Sequence, residues 1–510
     1  MNTKKMGLLV GLVALIVAAT AFFTLQNKSE KSSDKIQAVA TFYPVYEFTK
    51  AVLGDEGEVD LLIKAGTEVH GFEPSTKNLT TIQESDVFVY ADDNMETWAP
   101  NLAKAIDTDK VKVIKMTGDM LLLAGSDDHD HDHGHGEEGH HHAFDPHVWV
   151  SPYRALRLVE NISKELSAAY PDKAKIFEKN ADAYIEKLKA LDAKYSDVLS
   201  TAKQKSFVTQ HAAFNYLALD YGLNQISITG VSAESEPTAQ RLAELTSYVK
   251  AQGINYIYFE ENASAVVSET LAKEAGVKTA VLNPLESLTK KQMEAGEDYF
   301  SVMEANLEAL QLTTEKEGAT IQPEVAPEKT VYAGYFEDSA IKDRLLTDWS
   351  GEWQSVYPYL VDGTFDEIWD YKAKKSQGQM SAKEYKDYYT IGYKTDVEAI
   401  TIDGDKKTMT FTQNGKSQTF TYKYVGYKVL NYKKGNRGVR FLFETDDANA
   451  GNFKYVQFSD HSIAPTEAGH FHIYFGGSSQ EDLLNELENW PTYYPAGMTG
   501  HDVAQEIVAH

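Results

Sequence analysis

Short apolar runs alternate with amphipathic helical periods twice between residues 35 and 312, and this alternation limits the folds open to the chain more than any other property. Residues 36–42 (IQAVATF) read as a buried strand, closed by Tyr43-Pro44 ahead of a helix with Val45, Phe48 and Val52 on one face. Residues 59–63, 86–91 and 111–116 are further strands. A long helical pattern starts at Ser151-Pro152, a serine cap with proline at the first helical position, and is long enough to link two lobes. Strands then return at residues 206–209, 254–259 and 279–282. Strands separated by helices form parallel sheets, so the expectation is an α/β two-lobed domain with a long linking helix. Ligands of such sheets bind beyond the carboxyl ends of the strands.

Four side chains with metal-binding chemistry fall at those ends. His70 lies in the glycine-bearing loop after the second strand, His211 directly follows residues 206–209, and Glu286 leaves the last strand in Asn283-Pro284-Leu285-Glu286. His147, in Asp145-Pro146-His147-Val148-Trp149, sits at a loop-to-helix junction able to face them. Any one of these histidines alone reads as an ordinary surface or core residue. The joint pattern carries the reading, because three of the eight histidines outside one unusual segment take such positions in one domain.

That segment is residues 127–142, with seven histidines (His129, His131, His133, His135, His140, His141, His142), four aspartates, two glutamates and three glycines. Nothing in it can enter a core, so it reads as a mobile, solvated loop. Seven imidazoles on an acidic tether make a weak, multi-site trap for a transition metal. The alternative is an inert polar insert or a purification tag, against which stand the interleaved Asp and Gly, the internal position and the adjoining DPHVW. The chain has no cysteine, which excludes disulfides, thiolate metal sites and cysteine nucleophiles and leaves His, Asp and Glu as the strong ligands. A net charge of −27 with no evident basic face argues against nucleic acid as a partner.

Lys4 and Lys5 precede an uncharged, largely apolar run over residues 6–25, and a polar stretch follows. Residues 1–30 are therefore an export signal or a membrane anchor: Ala19-Thr20-Ala21 supplies a cleavage site, and the whole run has about the ~20 residues that span a bilayer. Both readings place the rest of the chain outside the cytoplasm, at the outer face of the cell membrane, anchored or secreted.

Residues 313–329 contain two prolines and no apolar period and read as a spacer. From residue 330 to 510 the chain turns rich in Tyr and Trp, with short alternating segments such as TMTFTQ, RGVRFLFET and HFHIYFGG that suggest an antiparallel barrel or sandwich. Helical pieces are expected in residues 343–360, 381–393 and 479–490. Residues two apart on a strand share a face, so His470 and His472 point the same way and His461, ending the preceding strand, meets them across a turn. Three imidazoles make a zinc site with a fourth position for water, a carboxylate or another molecule's histidine.

Residues 36–312 resemble the ZnuA-like zinc-binding proteins of bacterial ABC importers. The resemblance rests on Thr41-Phe42-Tyr43-Pro44, His70 with Glu73-Pro74, Asp145-Pro146-His147-Val148-Trp149, Gln210-His211-Ala212-Ala213-Phe214 and Leu282-Asn283-Pro284-Leu285-Glu286. It implies a metal site between two α/β lobes, with ligand positions at His70, His147, His211 and Glu286. Manganese-binding relatives carry a carboxylate where this chain has His211, and a third imidazole favours zinc. Residues 330–510 resemble ZinT, a zinc-binding protein with a lipocalin-like β-barrel, through Lys342-Asp343-Arg344, Asp348-Trp349, the 353–359 segment WQSVYPY, the 435–440 segment GNRGVR and the three histidines. Gram-positive members of the first group are normally lipoproteins; with no cysteine, the N-terminal helix is the tether, the protein is released, or a cysteine has been replaced.

The resemblance implies a monomeric, extracytoplasmic protein that captures Zn²⁺, delivers it to an ABC permease and is not an enzyme, with the C-terminal histidines as an accessory recruiting site. Capture is expected to weaken as pH falls through the ~6 to 7 range where imidazoles protonate. The competing readings are manganese transport, a surface adhesin, and a zinc hydrolase in the C-terminal domain. No neighbouring general base of the HExxH kind supports the last of these.

Overall fold

Two four-stranded parallel sheets and one nine-stranded antiparallel sheet make up the computed structural model, which describes residues 35–125, 144–230, 237–260, 265–318, 329–432 and 435–509. The N-terminal segment, the seven histidines of residues 127–142 and most of the expected spacer lie outside the described residues.

The first lobe contains β1 (Ile36–Ala40), β2 (Gly57–Leu61), β3 (Val87–Tyr90) and β4 (Lys112–Lys115), paired in the order β2-β1-β3-β4. The second contains β5 (Ser206–Thr209), β6 (Asn224–Ser227), β7 (Tyr256–Phe259) and β8 (Lys278–Val281), in the equivalent order β6-β5-β7-β8. In each lobe the strand order reverses beside the first strand, the place where open α/β sheets take ligands. The helix Tyr43–Leu53 buries Val45, Phe48 and Val52, the face its spacing predicts.

The helical run after Ser151 is two helices, Pro152–Ala169 and Ala174–Ser200. Pro171 lacks an N–H and drives the residue before it out of the helical region, and Tyr170 sits at φ −130°, ψ 72°. The second helix is 27 residues, roughly 40 Å. It starts against the first lobe, where Asn180 Nδ2 donates to the Val52 carbonyl, and delivers the chain to β5. The helix Tyr299–Thr314 carries ordered chain into the stretch read as spacer, with Thr313 and Thr314 buried and the Thr314 carbonyl accepting from Lys203 N at 2.8 Å.

The C-terminal sheet comprises β9 (Gly351–Ser355), β10 (Val397–Asp403), β11 (Thr408–Gln413), β12 (Lys416–Thr421), β13 (Lys423–Asn431), β14 (Arg437–Glu444), β15 (Tyr455–Ser459), β16 (Phe471–Gly476) and β17 (Thr492–Pro495). Its order is β12-β11-β10-β9-β17-β16-β15-β14-β13. The two edge strands are consecutive in the chain, joined by Tyr422 alone, so the sheet has to curl into a half-barrel of the lipocalin-like kind. Its inside is aromatic: Trp349 stacks on Phe458 at 4.8 Å and Phe411 on Phe453 at 4.3 Å.

Two of the three helical expectations change here, while Ala382–Tyr393 forms the helix expected at 381–393. Within residues 343–360 the chain makes a 3₁₀ turn (Leu346–Trp349), the sheet strand β9, and the short helix Tyr357–Val361. Trp353 and Ser355 are buried on alternate positions, a strand's period that the two tryptophans four apart had disguised as a helix's. The helix in residues 479–490 covers only Gln480–Leu484. Helices Asp366–Lys375 and Gly500–Ala509 were not anticipated.

Those two helices dock the C-terminal half onto the first. Ile368, Trp369, Val503 and Ile507 share one apolar core with Leu121 and Leu122. Gln505 grips the Leu122 backbone from both sides, Nε2 donating to the carbonyl at 2.7 Å and Oε1 accepting from N–H at 2.8 Å, and the Tyr371 hydroxyl donates to the Leu121 carbonyl. Buried Arg154 makes a two-pronged bond to Asp220 at 2.8 Å and 2.8 Å and lies 4.1 Å over the Tyr371 ring. Gln505→Ala strands a buried amide and carbonyl, so we expect about 2 kcal/mol of lost stability, read as a lower urea midpoint of the full chain.

Candidate metal centres

His70, His147, His211 and Glu286, separated by up to 216 positions in the chain, meet in the cleft between the two lobes. Each arrives by a local device. The His70 loop is fastened at its base by Glu68, whose Oε1 accepts from both Val69 and His70 N–H at 3.0 Å, and across the cleft by Gly66 N–H donating to Ser287 Oγ at 2.7 Å. His147 precedes the 3₁₀ turn Val148–Val150, whose Trp149 donates Nε1–H to the Pro284 carbonyl at 2.8 Å. His211 lies two residues past β5, its carbonyl accepting from Thr209 Oγ1 and Gln225 Nε2. Glu286 follows Leu285, which is buried at φ 61°, left-handed backbone that a leucine holds only under constraint. The constraint comes from Asn283, whose side chain accepts Leu285 N–H at 2.7 Å while its own backbone is paired with Asn306.

The donor atoms form a tight knot. Glu286 Oε1 lies 3.3 Å from His70 Nε2, 3.3 Å from His147 Nε2 and 3.1 Å from His211 Nε2, and the His70 and His147 Nε2 atoms are 3.3 Å apart. Tetrahedral zinc with bonds of about 2.0–2.1 Å separates its ligand atoms by roughly 3.3–3.4 Å, the spacing of these four contacts. His147 Nδ1 donates to Asp145 Oδ1 at 2.7 Å and His211 Nδ1 donates to Glu260 Oε1, so both rings aim an Nε2 lone pair inward. Lone pairs converging on a carboxylate repel unless a cation, metal or proton, lies among them.

Protonation of the metal-free site follows from that geometry. Burial disfavours a charged His147, but Asp145 and then Glu286 outweigh it and raise its pKa. Burial likewise opposes the His211 charge, and Glu260 with Glu286 holds it well above the ordinary histidine value. Burial pushes Glu286 up, yet the charge of His70 and the bonds from His147 and His211 hold it well below the usual carboxylate range. Asp145 and Glu260, which hold the Nδ1 atoms of His147 and His211, were not singled out from sequence; Glu260 directly follows β7, a strand-end position like those of the candidate ligands.

His461, His470 and His472 form the second cluster, their donor atoms within 4.8 Å of one another. His470 precedes β16, His472 is its second residue, and His461 lies two residues past β15 at φ 65°. The strained backbone at His461 is fixed from Asp460, which takes buried Arg344 Nη1 at 2.5 Å and Trp349 Nε1 at 3.1 Å. Thr492 Oγ1 donates to the Trp490 carbonyl and therefore accepts His472 Nδ1–H at 2.7 Å, leaving His472 Nε2 free for a metal. Tyr332 stacks on His461 at 4.5 Å and Tyr494 on His470 at 5.0 Å. Burial, then His470, His461 and Arg440, push His472 well below the ordinary histidine value, so it is neutral and ready to ligate. Among the described residues no carboxylate joins this cluster.

Residues 38–312 match the family of the periplasmic zinc-uptake complex component A, ZnuA, and residues 327–510 match that of ZinT, the periplasmic lipocalin-like zinc-recruitment proteins. The chain belongs to the ZnuA family of zinc-uptake proteins, with a ZinT domain joined to it. Along its whole length it is similar to the zinc-binding protein AdcA of Streptococcus pyogenes serotype M18, 61% identical over 516 residues, 99% of this chain and 100% of the relative. The zinc-binding lipoprotein AdcA of Streptococcus pneumoniae is 62% identical over 498 residues, covering 97% and 99%. The crystal structure of Zn(II)-bound AdcA from Streptococcus pneumoniae superposes with a TM-score of 0.84 at 62% identity, covering 93% of this chain and 100% of that one.

Proposed function

We propose that the protein captures Zn²⁺ outside the cytoplasm and hands it to an ABC import permease, without catalysing a reaction. His70, His147, His211 and Glu286 hold the ion to be transferred, and His461, His470 and His472 recruit zinc when it is scarce. The observation that carries this reading is the knot of Nε2 and Oε1 atoms 3.1–3.3 Å apart in the interlobe cleft. Three imidazoles and one carboxylate complete a tetrahedron and leave no position for substrate, which suits capture and release. The domains divide at residues 313–329, the N-terminal segment either anchors the monomer at the outer face of the membrane or is cleaved to release it there, and the histidines of residues 127–142 raise the local supply of metal.

Metal analysis of the full chain tests the reading. Two tightly held zinc ions per chain are expected, apart from any held weakly by the histidines of residues 127–142, falling to one when His461, His470 and His472 are all changed to alanine, with manganese unable to displace the remaining ion at equal concentration. One zinc in the parent, or ready displacement by manganese, overturns it. Asp145→Asn and Glu260→Gln leave the ligands in place but release their rings, so each is expected to cost roughly 10–100-fold in zinc affinity at the cleft, measured by chelator competition.

A further inference from the structure

Asp145, which fixes the ring of His147, is itself held by the short helix Asn215–Asp220. Asn215 donates Nδ2–H to Asp145 Oδ2 at 2.8 Å, and Tyr216 donates its hydroxyl to the Asp145 carbonyl at 2.6 Å. Asp220, buried at the far end, takes Ser151 Oγ at 2.7 Å and both prongs of Arg154. Lys374, from the C-terminal helix Asp366–Lys375, completes that anchor: its Nζ stands 3.0 Å from Asp220 Oδ1, 3.0 Å from Asp370 Oδ2 and 3.3 Å from the centre of the Tyr153 ring. Arg154 and Asp220 from one half and Lys374 and Asp370 from the other thus close a four-charge cluster, and Arg154 lies over a ring of each half, Tyr216 at 5.3 Å and Tyr371 at 4.1 Å. A helix of six residues is about 9 Å long and moves as one piece, so its Asp220 end sets the place of its Asn215 end. The other support of Asp145 leads to the same junction. Its N–H donates to the Leu123 carbonyl at 2.9 Å, and the two residues before Leu123 are the ones that Tyr371 and Gln505 grip.

We infer that docking of the C-terminal half sets how tightly the interlobe cleft holds its ion, with Lys374 and Gln505 as positioning residues that act on His147 through Asp145. The inference rests on the reading of the cleft as a zinc site. Lys374 fixes the helix that carries Asn215 and Tyr216, and Gln505 fixes the stretch of chain that takes the Asp145 N–H. When either lets go, Asp145 Oδ1 is free to leave His147 Nδ1, and the ring loses the bond that aims its Nε2 at the ion. Linkage makes the effect mutual: an ion in the cleft tightens the docking by the factor by which docking tightens the ion. Separation of the two halves therefore favours release.

The test is the zinc affinity of the full chain with His461, His470 and His472 changed to alanine, read by chelator competition so that the tight cleft site reports. Changing an orienting partner costs about 10–100-fold and residues one step behind it cost less, so Lys374→Met and Gln505→Ala should each weaken the cleft roughly 3–10-fold. Lys374→Arg should restore most of the loss, because it keeps a cation between Asp220 and Asp370. In a chain already carrying Asp145→Asn, Lys374→Met should cost nothing further, since the path it acts through is broken. The visible absorption bands of Co²⁺ in the cleft should shift with Lys374→Met, a change in ligand geometry that lower stability alone does not produce. Phe411→Leu, inside the half-barrel, removes stability away from the junction and should leave the cleft affinity unchanged. Affinities within about twofold of the parent for both Lys374→Met and Gln505→Ala, an undiminished loss in the Asp145→Asn chain, or an equal loss from Phe411→Leu overturns the inference and leaves the zinc reading intact. A chain that holds no tight zinc once the three C-terminal histidines are gone overturns the zinc reading and the inference with it.

Discussion

Glu286→Gln lowers the zinc affinity of the interlobe site by more than roughly 100-fold, the largest single-residue effect expected in the molecule. One atom, Glu286 Oε1, stands 3.1–3.3 Å from all three imidazole Nε2 atoms, so in the proposed zinc site it is the vertex at which the two lobes would share the ion. Glutamine keeps the shape and an oxygen but removes the only negative charge among the four ligands, and its amide is a poor zinc ligand. Changing a partner that merely orients a ligand costs about 10–100-fold; changing the ligand has to cost more. The loop itself should hold, because Leu285 and Asn283 are fixed by Asn306 and not by the carboxylate. Competition against a chromogenic chelator reads the effect, with the C-terminal cluster removed so that only the cleft reports. An affinity within tenfold of the parent would take Glu286 out of the site.

The four cleft residues were legible because each announced itself twice, by chemistry and by place: a histidine or carboxylate just past a strand end, or at the DPHVW junction before a helix. Glu260 had the same place after β7, but nothing in the sequence marks it, and its part appears only when His211 Nδ1 is seen to point at it. Strand β6 was hidden because Asn224–Ser227 contains one apolar residue, Ile226; its neighbour β5 supplies the hydrogen bonds that a pattern search cannot see. β9 was hidden for the reverse reason, since Trp349 and Trp353 are spaced as on a helix while Gly351 between them sits at φ 144°. The docking of the two halves was beyond any local reading: Gln505 meets Leu122 across 383 residues of chain. That contact also reaches the site, because the Leu123 carbonyl accepts Asp145 N–H at 2.9 Å and Tyr216 OH bridges Leu123 N–H and the Asp145 carbonyl. The second domain therefore braces the strap on which the orienter of His147 hangs.

Acidification should weaken the hold of the cleft on zinc more steeply than that of the C-terminal site. His147 and His211 have folded pKa values raised above the unfolded value of about 6.5. In the metal-free protein their pairing with Asp145, Glu260 and Glu286 contributes stability that is fully present below about pH 6.5 and is lost as pH rises through the folded values. Glu286 has the opposite sign: its depressed folded pKa contributes stability above about pH 4.3 that is lost as pH falls through that depressed value. Zinc needs both Nε2 lone pairs, so below the raised values each ion bound must expel up to two protons from these rings, and apparent affinity falls by up to about 100-fold per pH unit. Acid down to about pH 5 thus strengthens the empty cleft while weakening its hold on metal, and the zinc-induced rise in thermal midpoint shrinks accordingly. His472 behaves differently, because its depressed pKa means it is already neutral and has no proton to expel. The C-terminal affinity should therefore decline with a shallower slope. Zinc affinities of the two single-site variants at pH 8, 7 and 6 decide the matter: a steep cleft and a shallow C-terminal site are expected, and parallel slopes would remove the protonated imidazoles from the account.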